Sequence, residues 1–430
     1  MFINNGRLAT GHWPKPGSHY IFLSQNRTLP LSNPLSSHLK MTPPPARPVS
    51  TVFVVGSLNM DFIGTVKAHN ARRFHQPFRN DFERPGGHRA NQAVAVYRAS
   101  HCSPESSVDS SDGRLRSMSG SFTPMDILDF DVAVHMVGMV GDDGNRGKVI
   151  KQELEKNHVN TEGIGIATGV NTGFAHVHID GAGIPEVSTS EGANKCLTPD
   201  KIKNWSPAPA MVLVQLETPV DTVSKVIKQA NAQDIPIIFN PAPYNEKNNI
   251  RETKKLFKVD HLIINAITTD QILELPELTE QQFEEYERRS EIQKRYIDAC
   301  NEFHNLGAAC VVITLGSLGA IASYLEPKDT KGLRNQKIWI FGAKQGPNSV
   351  CDETGASDAF IGMYAVEILR QLRSTTGSLD IGAAVELGIK AGGLAVAKLG
   401  SMDSIPWRDE VYAPSRNFTA VSPFQFDDEA

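Results

Sequence analysis

Short, nearly continuous apolar runs alternate along this chain with longer amphipathic stretches, and that alternation restricts the fold more than any other feature. VFVV (52–55), VHMVGMV (134–140), MVLVQL (211–216), IPIIF (235–239), HLII (261–264) and ACVVITL (309–315) have the length of strands and little polar alternation, so both faces of each need cover. Helical periodicity is expected over residues 90–99, 146–156, 221–232, 281–305, 356–372 and 379–399. Buried parallel strands separated by helices imply an α/β fold, a three-layer α/β/α sandwich around a Rossmann-like central sheet. In such folds ligands lie beyond the carboxyl ends of the strands, so the polar residues just after each strand are the candidates for chemistry. TGFAHVHID (172–180) alternates instead, as a half-exposed antiparallel strand would, and suggests a small side sheet or lid.

Composition narrows the partners. The 430 residues include 43 basic and 48 acidic ones, for a net charge of −5, which gives no chain-wide positive field and argues against nucleic acid as the main ligand. A small-molecule ligand is expected. Cys102, Cys196, Cys300, Cys310 and Cys351 form no Cys-x-x-Cys pair, which argues against a zinc site or a disulfide framework and favours a reducing compartment, the cytoplasm and also the nucleus. No apolar run approaches the roughly 18 residues of a membrane-spanning helix.

Residues 1–50 contain no Asp or Glu and are rich in Ser, Pro and Asn, and a disordered extension is expected there. An organelle transit peptide is the weaker reading because no amphipathic helical run is present, and Met41 is an alternative start. A folded domain is expected over 51–412, with lid strands near 62–85 and 172–191, a Ser-rich surface insertion at 100–126 and a loose tail at 413–430.

Several strand ends carry candidate site residues. After VFVV, Asn59 and Asp61 place an amide and a carboxylate two residues apart, and a carboxylate accepts well from adjacent hydroxyls of a polyol. Gly86 and Gly87 permit close backbone approach ahead of a helix whose first turn holds Asn91. Asp142 and Asp143 are expected to cap the following helix. Glu217 and Asn265 each follow a buried strand, and Thr314 to Gly319 ends another with two glycines and two hydroxyls, suited to a nucleotide phosphate or ribose or to a plain glycine hairpin. DETGASDAF (352–360) runs from loop into a long apolar helix. The unpaired amides and dipole at such a helix start favour a transferring phosphoryl group, and Asp358 in the first turn can take the proton of an attacking hydroxyl.

Taken in order, GSLNMD, PGGHRANQA, VGMVGDDGNRG, TGFAHVHID with EGAN, VQLETP, FNPAP, ITLGSLGA, DETGASDAF and GSMDSIPWRDEV resemble the ribokinase family of ATP-dependent sugar and nucleoside kinases over roughly residues 51–412. The resemblance implies a small β lid that often forms a homodimer interface, and phosphorylation of the primary hydroxyl of D-ribose or a related sugar. It implies acceptor contacts from Asn59, Met60, Asp61, Gly87, His88, Asn91 and Glu217, with Asp358 as the catalytic base. Asn265, Thr314, Leu315, Gly316, Ser317, Gly319, Gly355, Ala356 and Ser357 fall to ATP, the Thr354 to Asp358 amides forming the anion hole. Magnesium accompanies ATP, and potassium is implied as an activator near Asp352, Thr354, Ala395, Lys398, Gly400 and Ser404. The chain departs from the family pattern at His88 and Arg89, which replace Lys and Gly, at Ser357, which replaces Gly, at Thr268, which replaces Glu, and at Ile361 and Ile389, which replace Asn. A non-catalytic sugar- or nucleotide-binding protein, and a kinase of another sugar or nucleoside, stand as rival readings.

Overall fold

The computed structural model describes residues 47–65, 79–104, 130–179, 185–205, 207–244, 250–276, 278, 289–327, 334–342, 350–374 and 379–413. The expected extension, most of the Ser-rich insertion and nearly all of the tail lie outside these residues.

A nine-stranded sheet forms the centre, built from β1 (Val49–Val55), β4 (Asp131–Gly141), β5 (Asn160–Ala167), β8 (Met211–Gln215), β9 (Ile237–Asn240), β10 (His261–Asn265), β11 (Cys310–Thr314), β12 (Ala320–Leu325) and β13 (Gln336–Phe341), in the order β13-β12-β11-β10-β9-β8-β1-β4-β5. Strands β5 to β11 are parallel in space, whereas β12 and β13 pair antiparallel, a departure from the all-parallel expectation. The second sheet joins β2 (Asn59–Thr65), β3 (Arg79–Gly86), β6 (Gly173–Ile179) and β7 (Pro185–Ser190) in the order β3-β2-β6-β7. The alternating TGFAHVHID segment is its β6, which pairs parallel with β2 and antiparallel with β7.

Helices α1 (His88–Ser100), α2 (Arg146–Lys156), α3 (Val220–Asn231), α4 (Ala266–Leu273), α5 (Arg289–Leu306), α6 (Ala356–Arg373), α7 (Ile381–Ala395) and α8 (Arg408–Tyr412) complete the layers. Two apolar cores lie on opposite faces of the sheet. Met211 and Leu213 of β8 join α1, α6 and α7 in one, while Val212 and Val214 join α3 and α5 in the other. Period-two alternation on a doubly covered strand sends successive apolar side chains to opposite cores, and each fully buried one contributes about 1.5–3 kcal/mol.

Three boundaries differ from expectation for local reasons. Strand β1 starts at Val49, since Val49 and Ser50 pair with Asp131 and Val132 of β4. Strand β5 was not expected because its Gly163 and Gly165 mask the apolar pattern, yet a Cβ at Gly163 would sit 2.6 Å from Met136 O. Helix α7 is shorter than 379–399 at both ends: Asp380 caps its start, accepting from Ala383 N at 3.0 Å, and the chain turns away after Ala395. Asp142 and Asp143 do not cap α2. Asp142 accepts the Gly169 amide at 2.9 Å and Asp143 the Thr172 hydroxyl at 2.7 Å, tying the loop after β4 to the one after β5.

Helices α1 and α6 cross where Gly362 meets Ala95, and a Cβ on Gly362 would lie 2.4 Å from the Ala95 Cβ and 2.6 Å from its carbonyl carbon. Gly362→Ala is expected to cost about 1–3 kcal/mol by overpacking. The check is a urea titration, which should show a lower midpoint at an unchanged slope.

Candidate active site

One buried polar group is assembled from the ends of β1 and β8, the paired strands β2 and β3, and the starts of α1 and α6. Asn59 and Asp61 project from one face of β2, where both are buried. Met60, between them, turns into the apolar core at 2% exposure and does not join the polar group, as strand alternation requires. Gly86 and Gly87 act differently from expectation: they make room for these two residues. A Cβ on Gly86 would fall 1.8 Å from Asp61 Oδ2, and one on Gly87, at φ +90°, would lie 2.9 Å from Asn59 N. Asn194 locks this strand pair from the η-turn after β7, accepting from Leu58 N at 2.8 Å and donating to Asn59 Oδ1 at 2.7 Å. Sequence reasoning placed Asn194 only within EGAN, without this role.

Asp358 sits in the first turn of α6 at 1% exposure. Its Oδ2 accepts from Asn91 Nδ2 at 3.1 Å and meets His88 Nδ1 at 3.3 Å, while Oδ1 accepts from Gln92 Nε2 at 3.0 Å. All three partners begin α1, so the α1–α6 crossing fixes the carboxylate. Burial alone would lower the His88 imidazole, but the charge of Asp358, its hydrogen bond and the charge of Glu217 outweigh that and raise it to about 9. Nevertheless the His88 side chain is 46% exposed and stands at the rim of the group.

Glu217 is at the expected carboxyl edge of β8, but it is not free to receive a ligand hydroxyl with both oxygens. Arg89 Nη1 donates to its Oε2 at 2.6 Å, the Ser57 hydroxyl donates to the same oxygen, and Asn59 Nδ2 reaches Oε1 at 3.1 Å. Arg89 is fully buried. Its remaining donors reach Gln215 Oε1 at 2.8 Å and the Ala242 carbonyl at 2.6 Å. Burial lowers the guanidinium to about 10 against the opposing pull of Glu217 and Asp358, and it remains charged at neutral pH. Among the described residues Asp61 Oδ1 and Asn91 Oδ1 are buried without a hydrogen-bond partner. Burial, then the charge of Glu217, raises the Asp61 carboxyl from 3.8 to about 7.

At the ends of β10 and β11, Asn265 and Thr314 stand in register. Asn265 N-caps α4, its Oδ1 accepting the Thr268 amide at 2.7 Å. Leu315, Gly316, Ser317 and Gly319 form the tight β11–β12 turn, with Leu315 N donating to Gly319 O at 2.8 Å and both glycines at positive φ. At the start of α6, the Thr354 amide is taken by Asp352 Oδ1 at 2.9 Å and that of Ala356 by Glu353 O at 3.3 Å. Of the expected Thr354 to Asp358 amides, those of Thr354 and Ala356 are thus taken within the loop, which leaves Gly355, Ser357 and Asp358. The first bond closing the helix is Ala359 N to Gly355 O at 2.8 Å. Gly355 supplies the left-handed residue of this turn at φ +86°, where a Cβ would meet Ser401 O at 2.5 Å. Ser357 is helical and needs no such freedom.

Asp352 gathers the loop behind this helix start, its Oδ2 accepting from Gly400 N at 2.9 Å, and Ser404 Oγ lies 3.5 Å from Thr354 O. Thr354 Oγ1 and Ser401 Oγ are buried there without partners. Lys398 enters only through its backbone, as its ammonium pairs with Glu410 at 2.9 Å, and the Ala395 carbonyl accepts the Lys398 amide. Asp270, the nearest acidic residue after Asn265, is claimed by Arg295 at 2.9 Å and by the Tyr296 hydroxyl at 3.2 Å.

A pfkB family carbohydrate kinase model matches residues 49–408. The ribokinase of Bacillus subtilis is 27% identical over 365 residues, covering 84% of this chain and 97% of the Bacillus protein. Among solved structures, ribokinase from Giardia lamblia superposes with a TM-score of 0.64 at 21% identity, covering 84% of this chain and 97% of its own. Arabidopsis thaliana ribokinase, complexed with ribose and ATP, does so with a TM-score of 0.59 at 20% identity, covering 85% of this chain and 97% of its own. The fold is ribokinase-like, and the chain belongs to the pfkB family of carbohydrate kinases, whose ribokinase members use ATP.

Asp61 gives this site a pH signature. Its folded value of about 7 exceeds the unfolded 3.8, so its contribution to stability is whole below the unfolded value and is lost as pH rises to about 7. Asp61→Asn escapes that loss, and its stability advantage should grow by ~2–3 kcal/mol between pH 5 and pH 8. Thermal melts of both proteins at pH 5 and pH 8 check the widening gap.

Proposed function

We propose that this kinase transfers the γ-phosphoryl group of ATP to the primary hydroxyl of D-ribose or a closely related sugar. The observation that carries the reading is Asp358, a buried carboxylate oriented by Asn91, Gln92 and His88 beside the open amides of Ser357 and Asp358. Asp61 and Asn91, with their unpartnered oxygens, receive acceptor hydroxyls. Asp358 takes the hydroxyl proton, the oxygen lone pair forms the new bond to γ-phosphorus, and the bond from that phosphorus to the β-γ bridging oxygen breaks to release ADP. The helix-start amides offset charge on the phosphoryl oxygens.

Among the described residues no cluster of three or more His, Cys, Asp or Glu side chains could hold a metal ion, and Asp270 is already paired. The residues present do not form a cage for magnesium, which under this reading arrives as the counter-ion of the triphosphate. A potassium ion fits the oxygen-lined loop better: Asp352, Thr354, Ser401 and Ser404 would hold it, and its charge would steady the loop that opens the helix.

Arg89 favours a second reading. With Glu217 neutralised, Asp61 is the carboxylate left to grip a polyol, which suits an acceptor with fewer hydroxyls than ribose or a nucleoside. A panel of pentoses, deoxypentoses, hexoses and nucleosides in an ADP-release assay, with and without potassium, ranks these acceptors. Asp358→Asn is expected to lower acceptor-dependent ADP release by about 10²–10⁴-fold with the fold retained. A rate within twofold of the parent would remove Asp358 from the mechanism.

A further inference from the structure

Beneath the acceptor group runs a line of buried polar side chains that neither the family match nor the mechanism above accounts for. Arg89 Nε donates to Gln215 Oε1 at 2.8 Å, the Gln215 amide nitrogen donates to Gln92 Oε1, and Gln92 Nε2 donates to Asp358 Oδ1 at 3.0 Å. Exposure is 0% for Arg89 and Gln92 and 1% for Gln215 and Asp358, so the line runs without contact with bulk water.

We propose that Arg89 is a positioning residue for the base, acting on Asp358 through the directional amide chain of Gln215 and Gln92. The inference rests on the reading of Asp358 as the base. Each glutamine amide carries a donor and an acceptor, so a chain of them bounded by neutral groups can run either way. This chain cannot reverse. A guanidinium only donates, which turns the Gln215 oxygen toward Arg89 and its nitrogen toward Gln92. Gln92 must then offer oxygen to Gln215 and nitrogen to Asp358, an ionised group that only accepts. In a dry interior the aligned dipoles reinforce one another, and the cation at one end favours the anion at the other. Arg89 itself is anchored by Glu217, Ser57 and the Ala242 carbonyl, so it has no other position from which to set the chain. The consequence is a carboxylate held from both sides: Gln92 fixes Oδ1 through the chain, Asn91 and His88 fix Oδ2, and the plane of the group toward the hydroxyl is set by both.

The rival role for Arg89 is neutralisation of Glu217 alone, and the two roles separate in kinetics. Acceptor binding would move KM through Glu217, whereas the amide chain moves kcat and its pH profile through Asp358. The charged groups around Asp358 that bear on that profile are His88, Arg89, Asp61 and Glu217.

The test uses the full chain with ATP and the best acceptor of the sugar panel. Gln215→Glu keeps the size of the side chain and its acceptor for Arg89 but removes the donor to Gln92. It is expected to lower kcat about tenfold or more, keep KM for the acceptor within about threefold, and move the acid limb of the kcat profile upward by about half a unit to one unit. Arg89→Met should lower kcat in the parent but leave it unchanged in a Gln92→Leu background, while its effect on KM persists in both. A Gln215→Glu enzyme with kcat and pH profile unchanged, or an Arg89→Met effect on kcat that multiplies in both backgrounds, overturns the proposal.

Absence of wild-type turnover on every acceptor would be a failure of the functional reading, not of the chain. Protein labelled with nitrogen-15 glutamine decides the chain in that event: the Gln92 side-chain amide should exchange slowly in the parent and at least tenfold faster in Gln215→Glu. Equal exchange in the two proteins overturns the proposal irrespective of activity.

Discussion

Everything at the site depends on holding one carboxyl group, Asp358, at 1% exposure. Stripping a carboxylate of water is affordable only when hydrogen bonds replace the hydration. Here the donors come from α1, through Asn91, Gln92 and His88, and the start of α6 adds its own favourable dipole. The same bonds staple α1 to α6. The close approach of Gly362 to Ala95 one turn further along lets the two helices come near enough for those side chains to reach. Helix packing and the site are thus a single constraint, since any change that spreads the helices also strips donors from Asp358.

Charge balance is the second theme. Asp61, Glu217 and Asp358 would repel one another in a low-dielectric pocket if nothing opposed them. Arg89 opposes Glu217 from inside the fold and His88 opposes Asp358 from the rim. Asp61 is raised by its burial and then by the charge of Glu217, which His88 and the Gly87 amide offset only in part. Among the described residues its Oδ1 has no partner, whereas Glu217 is held by three donors and keeps Arg89 and Asn59 in place.

The sequence made the layers legible because buried parallel strands read as unbroken apolar runs, and it made Asp358 legible because a Gly-rich loop entering an apolar helix has few other purposes. It did not reveal β12 and β13, whose Tyr324, Lys337 and Trp339 break the apolar pattern at the sheet edge. Nor did it reveal what Gly86 is for, because the clash it avoids, with Asp61 Oδ2, is with a residue distant in the chain. The capping expectation for Asp142 and Asp143 failed for a related reason: an acidic residue before a helix satisfies the local rule, yet non-local donors at Gly169 and Thr172 claimed both carboxylates. Local signals identify a residue as polar and near a strand end, but only the tertiary fold decides which partner reaches it first.

The departures from the family pattern divide along the same line. Ser357 costs the backbone little, because the left-handed position of the turn is Gly355, two residues earlier, and Ser357 is already helical. Arg89 is more demanding: it carries a long cation into a space where a Cβ on Gly56 would lie 2.4 Å from its Cγ. The chain accommodates it by leaving Gly56 bare and by surrounding the guanidinium with Gln215, Glu217, Ser57 and the Ala242 carbonyl. A cation so fully enclosed and satisfied cannot be removed without leaving Glu217 buried and unpaired, which costs more than either residue contributes alone. Arg89 is therefore an integral part of this site, and a return to glycine at that position would require Glu217 to find a new partner, from water or from the acceptor itself.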